Sequence, residues 1–283
     1  MSSINAFING EYLNSEEAKV SIDDRGFLFG DGVYEVIRFY NSGLFKTEEH
    51  LKRLNNSLAS LEISSPYSLE EIEDIGAKLV FKSGLKEGIL YLQITRGKAL
   101  RTHAFPPSLS PTVMMRINGL DLDSVRERQK GIRIITFPDK RWGYCHIKSL
   151  NLLANVMAKE AAQRQGAYEA VFVHDLGITE CCTSNIFVVK EGKLITAPEG
   201  ERILSGVTRH VVKQLAYEGG IPVEYRYPQK GEMMEADEVF ITNSVDEVTP
   251  VLAIDGQVIG GGECGPIVQK LQSMYQKLVE QYY

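Results

Sequence analysis

The sequence predicts an α+β protein of two domains, and three observations carry that expectation. Its 283 residues suffice for two domains of ordinary size, and a hydrophobic content of 43% can bury sizeable cores. Short runs with period-two alternation are interspersed with segments whose apolar residues recur every three or four positions. Around residues 118 to 130 the chain turns polar, "NGLDLDSVRERQK", and a second set of elements begins after it. The boundary is placed there, giving an N-terminal α+β domain, 1–120, and a C-terminal domain, 121–283.

In chain order, "AFING" and "EYLN" predict a hairpin about Asn9-Gly10, a pair suited to a type I′ turn. "GVYEVIRFYNSGLFKT" reads as two strands about Asn41-Ser42-Gly43. Val33, Glu35, Ile37 and Phe39 fall on one face of the first, and Tyr34, Val36, Arg38 and Tyr40 on the other, a face rich in polar and aromatic groups. Thr47 opens a helix with Leu51, Leu54, Leu58 and Leu61 in one stripe, and Ser68 opens another with Glu71 completing a capping box. "GILYLQITRG" and "TVMMRING" supply further strands. Beyond the boundary follow "GIRIITF", a helix through the 150s, "YEAVFVHD", "SNIFVVKEGKLITAP", a helix from about 206 to 218, "PVEYRY", "EVFITNS" and a C-terminal helix.

Composition excludes several function classes. The net charge is -6, with 24% charged residues and no long run of one sign, so no basic footprint for nucleic acid is present. No segment approaches the ~20 apolar residues of a membrane span, and "MSSINAFINGEYLNSEEAKV" has no basic region followed by an apolar stretch, so a cytoplasmic protein is expected. Cys145, Cys181, Cys182 and Cys264 contain no C-x-x-C pair, and the five histidines show no metal-binding spacing. Reduced thiols and no metal are expected.

The candidate chemistry starts with "RWGYCHIKSLNLLANVMAKEAAQRQG", where Lys148 stands just before a helix patterned by Leu152/Val156 and Leu153/Met157/Ala161. Apolar surroundings lower a lysine's pKa and free its amine to attack a carbonyl, although a surface lysine at a helix start is the commoner case. In "GITECCTSNIFVV", Glu180 follows a turn signal and precedes small polar residues. Such a carboxylate, if held in a pocket, suits the protonated ring nitrogen of pyridoxal phosphate; a solvated loop carboxylate is the bland alternative. "ILSGVTRHVV" sets Ser205-Gly206 at a helix start, where the N–H groups of Val207 and Thr208 can cradle an anion or be capped in the ordinary way. Asn243 and Ser244 offer further donors after a strand, and Arg53, on the exposed side of the Leu51/Leu54 helix, a cation. In "TRGKALRTHAFPP", Arg101 and His103 lie two apart, so an extended backbone points both at one carboxylate, and Tyr34 can add a phenol.

Taken in order, "DRGFLFGDGVYEVIRFYNSGLF", "EEHLKRL", "TRGKALRTHAFP", "IKSLNLL", "TECCTSNIF", "LSGVTR" and "FITNSVDEVTPV" resemble the class IV (fold type IV) pyridoxal-phosphate aminotransferases, over nearly the whole chain. Within that family the resemblance is greatest to the D-amino-acid branch, through "GVYEV" and "LRTH". It implies a small N-terminal α/β sandwich, a larger C-terminal pseudo-barrel, and transamination between a D-alanine-like amino acid and a 2-oxo acid such as 2-oxoglutarate. Lys148 would be the Schiff-base lysine and proton shuttle, and Glu180 the partner of the pyridine nitrogen. Arg53, Val207, Thr208, Asn243 and Ser244 would hold the phosphate, and Leu204 would lie under the ring. Tyr34, Arg101 and His103 would bind the α-carboxylate, the last two from the partner subunit of a homodimer with its active site at the interface. The alternatives are a branched-chain L-amino-acid aminotransferase, whose members generally lack "LRTH", and an aminodeoxychorismate lyase; a binder that has lost catalysis would have replaced Lys148 or Glu180. Cys181 and Cys182 stand where relatives usually have Gly and Ser, Asn243 stands where a Ser commonly donates, and Arg38 is more typical of the branched-chain branch.

Overall fold

In a computed structural model of the chain, which describes residues 4–282, Asn9 and Gly10 take positive φ angles of 47° and 103° and turn β1 (Ala6–Ile8) back on β2 (Glu11–Leu13). A two-residue loop that matches strand twist needs left-handed residues at both positions, which is why Asn-Gly predicts it. Helix α1 (Arg25–Phe29) follows, capped by the Asp24 carboxylate, which accepts from the Gly26 N–H; at five residues it is too short to show a helical period in sequence. β3 (Gly32–Tyr40) and β4 (Gly43–Leu44) make the next hairpin, with Asn41 and Ser42 at positive φ. Helices α2 (Thr47–Ser60) and α3 (Leu69–Ser83) precede β5 (Gly88–Thr95) and β6 (Thr112–Gly119).

These strands form a six-stranded antiparallel sheet in the order β2-β1-β6-β5-β3-β4. Val33, Ile37, Phe39, Leu90, Leu92 and Met115 project from one face into a core shared with Leu51, Leu54 and Leu58 of α2 and Ile72, Leu79 and Val80 of α3. The leucine stripe is therefore the buried side of α2, and Ser68 and Glu71 close the expected capping box on α3. Two layers, helices on sheet, result.

The second unit begins with α4 (Leu122–Lys130), formed by the polar stretch that marks the boundary, and β7 (Ile132–Pro138). It continues through α5 (Leu153–Arg164), β8 (Glu169–His174), β9 (Gly177–Cys181), β10 (Asn185–Lys190) and β11 (Lys193–Thr196). Then come α6 (Val207–Glu218), β12 (Val223–Tyr225), α7 (Lys230–Met234), β13 (Glu238–Asn243), β14 (Glu247–Ile254), β15 (Gln257–Val258) and α8 (Pro266–Tyr282). Its sheet runs β12-β11-β10-β13-β14-β7-β8-β9, with β15 paired to β14. Ile178, Ile186, Ile195, Ile241, Val251, Ile134 and Val171, drawn from seven strands along that path, belong to one core. A sheet whose strands all feed one core must curl around it, and the Cys181 N–H bond to Ser184 O (2.8 Å) ties the end of β9 to the start of β10. This is the pseudo-barrel.

Three features differ from the sequence reading. Ile147–Asn151, with Lys148, groups with the first unit (up to Leu120) instead of with the second, which comprises Asp121–His146 and Leu152–Tyr282. The cause is backbone pairing: Tyr34 N–H donates to Lys148 O and Leu150 N–H to Gly32 O, both at 3.0 Å, so the segment lies beside β3. On α5, the expected apolar stripe faces outward at Leu153, Val156 and Met157, whereas Ala158 and Ala162 face the core, because small side chains let the helix lie close on Ala170 and Phe172 of β8. Strand β14 contains Pro250 opposite Phe240, a residue that argues against a strand in sequence.

Deleting the fully buried Leu54 side chain leaves a cavity in the first core, so Leu54→Ala is expected to lower unfolding free energy by about 2–5 kcal/mol in urea titrations. Ser68→Ala, which removes only one capping bond, should cost about 1 kcal/mol. Equal effects from the two would contradict this core assignment.

Candidate functional site

Glu35 occupies an inward position on β3, fully buried among Val33 and Ile37. A carboxylate there needs strong donors. Arg53 supplies Nε to Oε1 at 2.8 Å and Nη2 to Oε2 at 2.7 Å, and His50 Nδ1 lies 2.8 Å from Oε2. Burial on its own would raise the Glu35 carboxyl, but the Arg53 guanidinium and the His50 bond override it and hold the group far below the usual carboxylate range. Burial, against the pull of Glu35, lowers His50, with the nearby Arg53 and Lys148 charges acting in the same direction. Arg53 is thus on the inner side of α2, corrected from the exposed side read in sequence, because the buried Glu35 draws it in.

Lys148 is half-buried, with its Nζ 4.2 Å from the centre of the Tyr34 ring, and Tyr34 in turn stacks on Tyr91 at 5.8 Å. The Lys148 N–H donates to Ser57 Oγ at 3.2 Å, which with the β3 pairing fixes its backbone on both sides. Burial and the neighbouring Tyr34 push the Tyr91 phenol up to about 12. Arg101 and His103 are exposed, yet both lie against Phe29: the Arg101 guanidinium is 5.3 Å from its ring centre and the His103 ring 5.5 Å.

In the second unit Glu180 lies on β9, not in the loop expected from its turn signal, and is buried. Its Oε1 accepts from Arg141 Nη1 and its Oε2 accepts from Asn185 Nδ2 and the Leu204 N–H, both at 3.0 Å. Arg141 is held in turn by Asp139 (2.8 Å), Thr179 Oγ1 (3.2 Å) and the Arg202 carbonyl (3.1 Å), and its guanidinium lies over the Phe172 ring. Burial pushes the Glu180 carboxyl up, and Arg141 and the Leu204 N–H offset this only in part. Arg141 and Asn185 are neighbours of Glu180 that sequence reasoning does not pair with it; an arginine in "PDKRW" carries no local sign of a partner 39 residues away.

Helix α6 starts at Val207 and Thr208 after Gly206, with no side-chain cap on its first N–H groups. Asn243 is placed at the end of β13, but its side chain is already committed: Nδ2 donates to Ser184 Oγ (2.9 Å) and Asp246 Oδ2 (3.0 Å), and Oδ1 accepts from the Val245 and Asp246 N–H groups. Ser184 Oγ donates to Glu169, a fully buried carboxylate that also accepts from Thr183 N–H and Oγ1. Burial, opposed by Lys159 and these donors, raises the Glu169 carboxyl. Burial raises the Cys181 thiol and pushes Cys182 up to about 12, so neither is a thiolate near neutral pH. Tyr34, Lys148, Arg53, Arg101 and His103 thus belong to the first unit, and Glu180, Leu204, Val207, Thr208, Asn243 and Ser244 to the second.

Residues 32–254 match the family model described as amino-transferase class IV. A D-alanine aminotransferase of Bacillus licheniformis is 43% identical over 271 residues, covering 96% of this chain and 95% of its own. One from Staphylococcus haemolyticus is 39% identical over 97% of both. Among solved structures, the Escherichia coli branched-chain amino acid aminotransferase superposes with a TM-score of 0.91 at 27% identity, covering 98% of this chain and 95% of that one. A putative 4-amino-4-deoxychorismate lyase from Legionella pneumophila reaches 0.84 at 26% identity over 93% and 96%.

The Glu35 pairing makes stability depend on pH with a defined sign. Its folded pKa lies below the ordinary 4.5, so its ionised form stabilises the fold above that value and the contribution disappears as pH falls below it toward the folded value. Glu35→Gln is expected to cost about 3–5 kcal/mol at neutral pH, since it strands Arg53. Urea titrations should show that gap narrowing below about pH 4; a gap independent of pH would contradict the ion pair.

Proposed function

The chain belongs to the class IV aminotransferases, and from that premise we propose that it transfers the amino group of a D-amino acid such as D-alanine to a 2-oxo acid such as 2-oxoglutarate, with pyridoxal 5′-phosphate as cofactor. The observation that carries the D-amino acid reading is the pairing of full-length D-alanine aminotransferase relatives with Arg101 and His103, both seated on Phe29.

The residues present fit the cofactor. A phosphate dianion needs uncompensated donors, and the first N–H groups of α6 have no side-chain acceptor. The Thr242 hydroxyl is buried without a hydrogen-bond partner, directly across the strands from Asn185, which contacts Glu180. A basic ring nitrogen needs a buried acid, and Glu180 is one whose carboxyl burial has raised. When bound, pyridoxal phosphate supplies a carbonyl that condenses with amines and a ring that stores the electrons left on the substrate α-carbon.

On this reading Lys148 would hold the cofactor through its Nζ, and the same amine would take and return the substrate α-proton. The backbone bonds to Tyr34 and Ser57 hold it for both tasks. Glu180, oriented by Arg141 and Asn185, would hold a proton at the ring nitrogen. Arg53, Val207, Thr208 and Ser244 would hold the phosphate and Leu204 would contact the ring, while Asn243 would contribute through the loop it braces. Tyr34 binds the substrate carboxylate together with Arg101 and His103 from the partner subunit. A cytoplasmic homodimer completes the proposal, and the exposed Leu153, Val156 and Met157 of α5 are apolar surface that such an assembly would cover. Among the described residues no helix is long and apolar enough to cross a membrane.

Purified protein is expected to be yellow, and D-alanine alone, without an oxo acid, should bleach the visible band. Bleaching by L-leucine or L-glutamate instead would assign the chain to branched-chain substrates, and no response to any of them would direct attention to the lyase substrate. Lys148→Ala should remove both band and turnover; retention of either would overturn the role of Lys148.

A further inference from the structure

The guanidinium of Arg25 is buried, and its hydrogen bonds run to a segment far along the chain. Nε donates to Asp31 Oδ2 at 2.7 Å, Nη1 to the Thr102 carbonyl at 2.6 Å and to that of Ala104 at 3.5 Å, and Nη2 to the His103 carbonyl at 3.3 Å. Its plane also lies over Phe29, 4.9 Å from the ring centre, on which Arg101 and His103 both rest. Three successive carbonyls therefore point inward at one cation, although the segment that carries them is exposed and has no helix or strand to hold it.

A second guanidinium shares the anchor. Arg96 Nε donates to the same Asp31 oxygen at 2.9 Å, Nη2 and Nη1 cap the Leu61 and Glu62 carbonyls after α2, and the group lies 3.6 Å from the Phe105 ring centre. Two cations on one carboxylate leave a net positive charge, and the carbonyl dipoles of 102–104 are what solvate it. Segment 101–105 is thereby held in its middle by Arg25 on three carbonyls and at its end by Arg96 on Phe105. Arg25 is itself fixed at the start of α1, where its N–H donates to the Gly97 carbonyl at 2.9 Å.

We propose that Arg25, held by Asp31, is the positioning residue that shapes the Arg101–His103 segment for the substrate carboxylate. The inference rests on the carboxylate role of Arg101 and His103 given above. Arg25 touches neither substrate nor cofactor in this account; it acts through three main-chain carbonyls. Lysine keeps the charge beside Asp31 but lacks the planar fork that reaches several carbonyls at once.

The test uses the holoenzyme with Arg25→Lys and, as the stronger lesion, Arg25→Met. Trypsin cleavage after Arg101 should accelerate in both, with melting temperature and visible band retained in Arg25→Lys. The KM for D-alanine should rise about tenfold in Arg25→Lys with little change in kcat, the loss expected when one charged positioning contact is removed. Bleaching by isopropylamine, an amine without a carboxylate, should keep its rate. Equal losses with D-alanine and isopropylamine, or unchanged cleavage and KM in Arg25→Lys, would overturn the proposal. Arg101→Met is the separate control: if it leaves the D-alanine KM unaltered, the carboxylate assignment fails, whatever Arg25 does to cleavage.

Discussion

A carboxylate on an inward strand position must be met by donors, and Glu35, Glu169 and Glu180 each sit on one. Within each unit, the setting of the candidate residues follows from how these carboxylates are satisfied. Glu35 receives a full guanidinium fork and an imidazole, so it remains ionised and fixes the direction of Arg53. Glu169 receives the Thr183 N–H and two hydroxyls, and so shapes the turn between β9 and β10. Glu180 shares its guanidinium with Asp139, and burial prevails: its carboxyl is raised where that of Glu35 is depressed. The contrast suits the two tasks. A strut should keep its charge whatever arrives nearby, whereas a group that, on the proposed reading, would govern a ring proton should be close to exchanging one.

What sequence made legible was local. Asn-Gly at 9–10, the leucine stripe of α2 and the Ser68–Glu71 box depend on interactions within a few residues, and each appears in the structure where its pattern lies. Lys148 before a patterned helix and Glu180 after a turn signal are legible as candidates, and motif order gives them their roles. Their settings were not legible, because long-range pairing determines them: Lys148 lies with the first unit through backbone bonds to β3, and Glu180 lies on a strand. Arg53 was assigned to the wrong side of α2 for the same reason, since only the position of Glu35 across the core shows which side is charged. On α5 the larger residues of the apolar pattern, Leu153, Val156 and Met157, are exposed, because proximity to the sheet favours alanine on the buried side. The fork of Arg25 on three carbonyls had no sequence signal at all, being set by a loop some 77 residues on.

The Asn at 243 shows how a departure from the usual residue changes which groups do the binding. A serine hydroxyl in that place offers one donor; the Asn243 amide offers two, with an acceptor besides. All are in use, toward Ser184, Asp246 and two backbone N–H groups. Asp246 is anchored further by Arg128 at 2.7 Å and by the Tyr168 hydroxyl at 2.7 Å. The loop after β13 is therefore braced by Asn243 together with Ser184, Arg128 and Tyr168, and its shape does not depend on an anion to organise it. An anion binding beside it would meet the Ser244 hydroxyl in place of the side chain at 243, since the Val245 and Asp246 N–H groups already donate to Asn243. Pre-organisation of that kind removes part of the ordering cost of binding, so loss of one hydroxyl contact need not weaken the hold on a phosphate.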